Sequence, residues 1–148
     1  MKKCISAVFL IIIFFAVSAF PHCQIPCGIY DDDMRFKMIE EDITTVEKSM
    51  NEINRITNDQ DMDYSQIVRW VDNKEVHADK ISDTVTYYFM AQRIKPVYDR
   101  GDVGYEDYTN KLVLLHELIL YSMKAKQTTD LDYVGKMRDT LEKFKAIY

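Results

Sequence analysis

From residue 39 onward apolar side chains return at alternating steps of four and three. Ile39, Ile43, Val46, Met50 and Ile53 have the spacing that lines one face of an α-helix. They predict a first helix from Asp32 to about Thr57. Its start carries the acids Asp31, Asp32 and Asp33, which the positive end of a helix macrodipole favours. The polar run Thr57-Asn58-Asp59-Gln60-Asp61 then breaks the pattern. A second stripe, Ile67, Val71, Ala78, Ile81, Val85 and Tyr88, predicts a helix from about Tyr64 to Ile94, with Lys74 interrupting it. Lys95-Pro96, Gly101 and Gly104 mark a longer connection. Tyr108, Leu112, Leu115, Ile119 and Ser122 place a third helix over about Tyr105 to Lys126. Thr128-Thr129-Asp130 offers a cap for a fourth, striped by Leu131, Val134, Met137, Leu141 and Phe144. No stretch alternates with the period of a strand. The expectation is an all-α fold, an antiparallel up-and-down four-helix bundle preceded by an N-terminal hook.

The N-terminal region follows a different pattern. Lys2 and Lys3 precede an almost wholly apolar run from Ile5 to Val17, and Val17-Ser18-Ala19 has the small-residue spacing read by a signal peptidase. A membrane anchor would need about 20 apolar residues, and this run is shorter and closes on Phe20-Pro21. Cys4 stands before the run, where no lipid anchor would be attached. Three parts are expected: residues 1–21 as a signal peptide that is removed, 22–30 as the hook, and 31–148 as the bundle. The chain is then exported, to a periplasm or outside the cell, without a stable membrane anchor.

At 148 residues the chain makes one domain, large enough for a core that needs no disulfide staples. Its 19 Lys and Arg face 24 Asp and Glu. Loss of Lys2 and Lys3 with the signal peptide leaves 17 against 24, a formal net charge of −7. That balance repels nucleic acid and anionic membrane surfaces, and no nucleic acid partner is expected.

The chemistry concentrates in HCQIPCGIY, residues 22–30. Two thiols, an imidazole and, after cleavage before His22, a free amine are soft and intermediate donors within a short span. A square-planar set of nitrogen and sulfur donors suits Ni(II) or Cu(II) better than tetrahedral Zn(II). A structural zinc site would need four side-chain ligands, and only three are local here. The shortfall points to backbone ligands. Pro26 and Gly28 allow the segment to close into a hook with a metal in its bend.

HCQIPCGIY resembles the nickel-binding hook of the nickel superoxide dismutases, His-Cys-x-x-Pro-Cys-Gly-x-Tyr at the start of the mature chain, at every fixed position. The resemblance continues in TTVEKSM (44–50), VRWVDNKEVHADKI (68–81), YFMAQRIKP (88–96) and MKAKQT (123–128). It implies a homohexamer of four-helix bundles and one nickel ion per subunit. The implied ligands are the amine and imidazole of His22, the amide nitrogen and thiolate of Cys23 and the thiolate of Cys27. Tyr30 would stand beside the open face and order the substrate anion or a water. The implied reaction is the dismutation of superoxide to dioxygen and hydrogen peroxide by Ni(II)/Ni(III) cycling, with anionic thiolates and a deprotonated amide stabilising the oxidised metal.

The amine can serve as a ligand only if His22 becomes the first residue. The best peptidase site cuts before Phe20, so a second processing peptidase is expected to remove Phe20-Pro21, unless the first cuts directly after Pro21. Two other functions fit the residues less completely: an exported nickel- or copper-binding protein without turnover, and a secreted helical interaction module held by a Cys23-Cys27 disulfide. His77 and His116 lack a Glu-x-x-His spacing, which argues against a di-iron site in the bundle, and they are read as surface or packed histidines. The tyrosines and Trp70 are read as core or interface rings.

Overall fold

The computed structural model describes residues 32–148. The segments expected to be a signal peptide and a hook, and Asp31, lie outside the described residues. Four helices make up the described chain, with no strand among them: α1 (Asp32–Thr57), α2 (Tyr64–Asp83), α3 (Tyr105–Gln127) and α4 (Asp132–Ile147). Helix α2 runs on without a break as a π-helix over Thr84–Arg93.

Ties between helices fix the direction of each. Ser49 meets Asn73, Asp42 meets His77 and Asp32 meets Arg93, so α2 descends as α1 rises. Lys74 reaches the α3 end at Lys126, and Ser82 reaches Ser122. Asn54 bonds Thr129, Glu47 pairs with Arg138 and Glu40 with Lys145, which closes α4 against α1. The bundle is up-and-down and antiparallel throughout, as the short loops require.

Core residues follow the helical stripes in α1 and α4. Ile39, Ile43, Val46, Met50 and Ile53 are buried, as are Val134, Met137, Leu141 and Phe144. Phe36, Phe89 and Phe144 form an aromatic group with centroids 5.0 to 5.7 Å apart. Truncating one of these rings would cost about 3–5 kcal/mol.

Four expectations need correction. Leu131, placed in the fourth stripe, is exposed, because α4 begins one residue later at Asp132. In α3 the buried set is Leu115, Leu118, Ser122 and Ala125, while Tyr108, Leu112 and Ile119 are half-buried. Helix α3 is apolar nearly all round, so spacing alone could not centre its buried face. Ile67 and Val71 are only half-buried, at the end of α2 farthest from the π segment. Lys74 does not interrupt the core face of α2 but lies on it, 4% exposed. Its ammonium donates to the carbonyls of Lys126 at 2.8 Å and Thr128 at 2.9 Å, where the end of α3 leaves acceptors without intrahelical partners. Burial lowers its pKa.

Helix α2 has a side-chain cap, whereas the N-termini of α3 and α4 have none. Asp63 accepts from the backbone N–H of Ser65 and Gln66 at the start of α2. Asp130 accepts from the N–H of Asp132 ahead of α4, and Thr128 from that of Asp130, but the N-cap position of α4 is Leu131 and no side chain caps it, so the expected cap segment shapes the turn before the helix instead. Asp102 accepts from the N–H of Gly104 before α3. No buried side-chain nitrogen or oxygen among the described residues lacks a partner.

Candidate metal centre

The residues expected to hold and serve the metal, His22, Cys23, Cys27 and Tyr30, all precede Asp32 and lie outside the described residues. What the structure describes begins at Asp32, two residues after Tyr30 in the sequence. Asp32 opens α1, where a carboxylate at the N-terminus suits the macrodipole. Its carboxylate accepts from the Tyr88 hydroxyl, from Arg93 at 2.7 and 3.0 Å and from the Tyr148 hydroxyl at 2.8 Å. Burial alone would raise the Asp32 pKa, but the hydrogen bonds from Tyr88, Tyr148 and Arg93 and the guanidinium charge outweigh it and hold the group below its usual value. Burial, and then the bond to Asp32, push the Tyr148 phenol up.

The π-helix makes this convergence possible. In an α-helix two residues five apart diverge by about 140°, which would aim Tyr88 and Arg93 apart. Bonding from i to i+5 winds the chain more loosely and narrows that divergence. The Ile94 N–H donates to the Phe89 carbonyl at 3.0 Å, and the Arg93 guanidinium lies 5.1 Å from the Tyr88 ring centre. The Tyr148 ring packs on Phe36, Phe89 and Phe144. Beside Arg93 and Tyr148 opens a cleft of about 450 Å³ that also takes in Lys95, Asp107 and Lys111.

A second polar pair was not foreseen. Asp42 and His77, 35 residues apart, face each other across α1 and α2 with Nδ1 and Oδ1 2.6 Å apart. Burial raises the Asp42 pKa, and His77 and Lys80 offset this only in part. A cleft of about 370 Å³ lined by Glu41, Lys80 and Asp83 opens beside them. The one signal was an acid three residues after Ile39 on the apolar stripe. His116 is exposed, as expected, and Trp70 is half-buried with the Lys48 ammonium 5.8 Å from its ring.

Among the described residues no group of three or more His, Cys, Asp or Glu side chains could hold a metal ion. Cys4, Cys23 and Cys27 all stand before α1. Fold and composition thus define a class: an up-and-down helical bundle whose thiols all precede its first helix. Residues 16–148 match the family model described as nickel-containing superoxide dismutase, and the chain belongs to that family. No curated protein and no solved structure matches it significantly, so the assignment rests on the family model. The protein is a nickel-dependent superoxide dismutase, an oxidoreductase with superoxide as substrate and nickel as cofactor.

Proposed function

We propose that the nickel ion, one per subunit, is held at the N-terminal hook by the amine and imidazole of His22, the amide nitrogen and thiolate of Cys23 and the thiolate of Cys27. The observation that carries this reading is that the matched span contains HCQIPCGIY whole. The donor set fits the metal, since two anionic thiolates and nitrogen donors favour a nickel ion that must reach its higher oxidation state. Bound there, nickel supplies the one-electron chemistry that turns two superoxide anions and two protons into dioxygen and hydrogen peroxide. The chain's own part is to bring the donors together, to shield them, and to order the anion near the Tyr30 hydroxyl.

Residues 1–21 direct export and are then removed, with Phe20-Pro21 trimmed so that His22 becomes the first residue. No helix of the described residues is long and apolar enough to cross a membrane. The mature bundles associate as a homohexamer. Exposed Val113, Leu120 and Met123, seven and then three residues apart on one side of α3, supply apolar surface that association would cover.

The decisive experiment combines intact mass, metal content and superoxide consumption on the natively processed protein. A chain beginning at His22 with about one nickel per subunit, whose nickel and activity both vanish in His22→Ala and in Cys27→Ser, is the expected result. A mature chain that retains Phe20, or one that keeps its nickel after Cys27→Ser, would overturn the assignment of the metal to the hook.

A further inference from the structure

We propose that the tip of the loop between the π-helix and α3, residues 98–103, is a recognition surface for a receptor protein that presents a divalent cation beside a carboxylate, with Asp102 reaching the cation and Arg100 the carboxylate. The proposal goes beyond the enzyme activity and needs neither the hook nor its nickel. Only access to such a partner rests on the export proposed above.

Every residue from Tyr98 to Val103 is exposed, Tyr98 at 87% and Val103 completely. Local bonds nevertheless fix the course of the tip. The Asp102 N–H donates to the Asp99 carbonyl at 3.1 Å and the Tyr105 N–H to the Asp102 carbonyl at 3.0 Å, which makes two successive turns with Arg100 and Gly101 at the corners of the first. The Oδ1 atoms of Asp99 and Asp102 accept from the N–H of Gly101 at 2.9 Å and of Gly104 at 2.7 Å. Each carboxylate thus keeps its other oxygen for a ligand. Among the described residues no carboxylate pairs with Arg100.

A loop that only joined two helices would gain nothing from a tyrosine and a valine left in water. The tip offers a planar guanidinium, which pairs with carboxylates through two parallel bonds, and a carboxylate oxygen, a hard donor suited to Mg(II) or Ca(II). The Cα atoms of Arg100 and Asp102 are at most about 7 Å apart, so one partner must hold an anion and a cation side by side. Gly101 between them leaves the backbone bare, and a partner can approach it closely. Tyr98 and Val103 flank the pair with apolar surface that such a contact would cover. Because the turns set the arrangement beforehand, little conformational freedom is lost on docking.

The test uses nickel-loaded, natively processed protein and, as probe, the immobilised ectodomain of a Mg(II)-dependent adhesion receptor that captures the linear peptide Gly-Arg-Gly-Asp-Ser. Binding is read by surface plasmon resonance, with nickel content, superoxide consumption and oligomeric state measured alongside. Wild type is expected to bind in Mg(II), to lose binding when Mg(II) is withdrawn, and to be displaced by the free peptide. Asp102→Asn keeps an acceptor for the Gly104 N–H and removes the charge that the cation needs, and Arg100→Gln removes the guanidinium. Gly101→Ala adds a methyl that meets only the Asp99 side chain, no nearer than 3.4 Å, so the turn is retained while close approach is blocked. Each of these is expected to weaken binding by about tenfold or more, with superoxide consumption unchanged. Asp99→Asn removes the same charge one turn position earlier and is expected to stay within about twofold of wild type. Absence of binding by wild type, binding that survives without Mg(II), or equal losses in Asp99→Asn and Asp102→Asn would overturn the proposal. Dissociation of the assembly in Arg100→Gln and Asp102→Asn would give the tip to a second copy of this chain and overturn it as well. A failure of the hook assignment would appear in nickel content and leave receptor binding in place.

Discussion

The two ends of the bundle solve opposite problems with opposite charges. At the end of the bundle where α1 stops, the Lys74 ammonium is buried and donates to backbone carbonyls of Lys126 and Thr128. At the other end, where α1 begins, the Asp32 carboxylate is partly exposed and accepts from the side chains of Tyr88, Arg93 and Tyr148. Lys74 completes the backbone of a helix terminus, and any loss there falls on folding. Asp32 completes nothing in the backbone that the helix dipole would not tolerate unaided. Its partners, Tyr88, Arg93 and Tyr148, are side chains. One end ties a side chain to backbone and the other ties side chains to one another.

Among changes to the polar ties that distinguish the two ends, substitution at Lys74 should give the largest stability effect. Lys74→Met keeps the aliphatic stem and removes the donor, leaving two carbonyls short of a partner at a cost of about 2 kcal/mol. Thermal denaturation of the metal-free chain should show this as a melting point lowered by roughly 5–10 °C. Nickel release should stay at the wild-type rate. A Lys74→Met chain as stable as wild type would mean that water satisfies those carbonyls and that the two ends differ less than their contacts suggest.

Two acids of α1, half-buried Asp32 and buried Asp42, sharpen the comparison through pH. Asp32 has its pKa depressed below 3.8, so it adds stability at all pH above that value and loses the contribution as pH falls through its folded pKa. Asp42 has its pKa raised above 3.8, so its carboxylate costs stability above the folded pKa, and the cost fades as acid protonates it in the fold. Asp32→Asn should thus be less stable than wild type near neutrality, by about 1 kcal/mol, with the gap closing in acid. Asp42→Asn should be more stable near neutrality by a smaller amount, with its gain also closing in acid. Denaturant titrations from about pH 6 to about pH 3 read both signs. Gaps of the same sign would show that the surroundings of one acid have been misjudged.

The smallest effect belongs to Arg138→Gln. Its partner Glu47 is held below its usual pKa by the Arg138 hydrogen bond, yet both side chains are more than a third exposed, so solvent screening leaves about 0.5 kcal/mol or less. A larger loss would mean that the α1 and α4 pairing is more than surface complement.

Much of the fold was legible in the chain. Helices α1 and α4 were readable because their apolar residues keep a strict four-three step, and a helix with a single wet face buries those positions whatever it packs against. The breaks at Thr57 to Asp61 and at Lys95-Pro96 to Gly104 were readable from turn chemistry. The π-helix was not, because its residues carry the same apolar signal as an α-helix and its register depends on a bond between Ile94 and Phe89. Lys74 looked like a flaw because a stripe records where a side chain stands and not which carbonyls await it. Asp42 and His77 were each visible, but a 35-residue separation conceals a pair.

The linear order of residues by itself determined the helical class, the number of helices and the concentration of thiols ahead of the first, since periodicity, turn residues and cysteine positions are local properties. The family match added nickel and superoxide. Only the tertiary structure decided that Lys74 belongs to the core, that α3 buries Leu118 and Ala125, and that Asp32, Arg93 and Tyr148 meet. Each of those depends on which groups of distant segments are left needing a partner once the helices pack, and that demand exists only after the chain has folded.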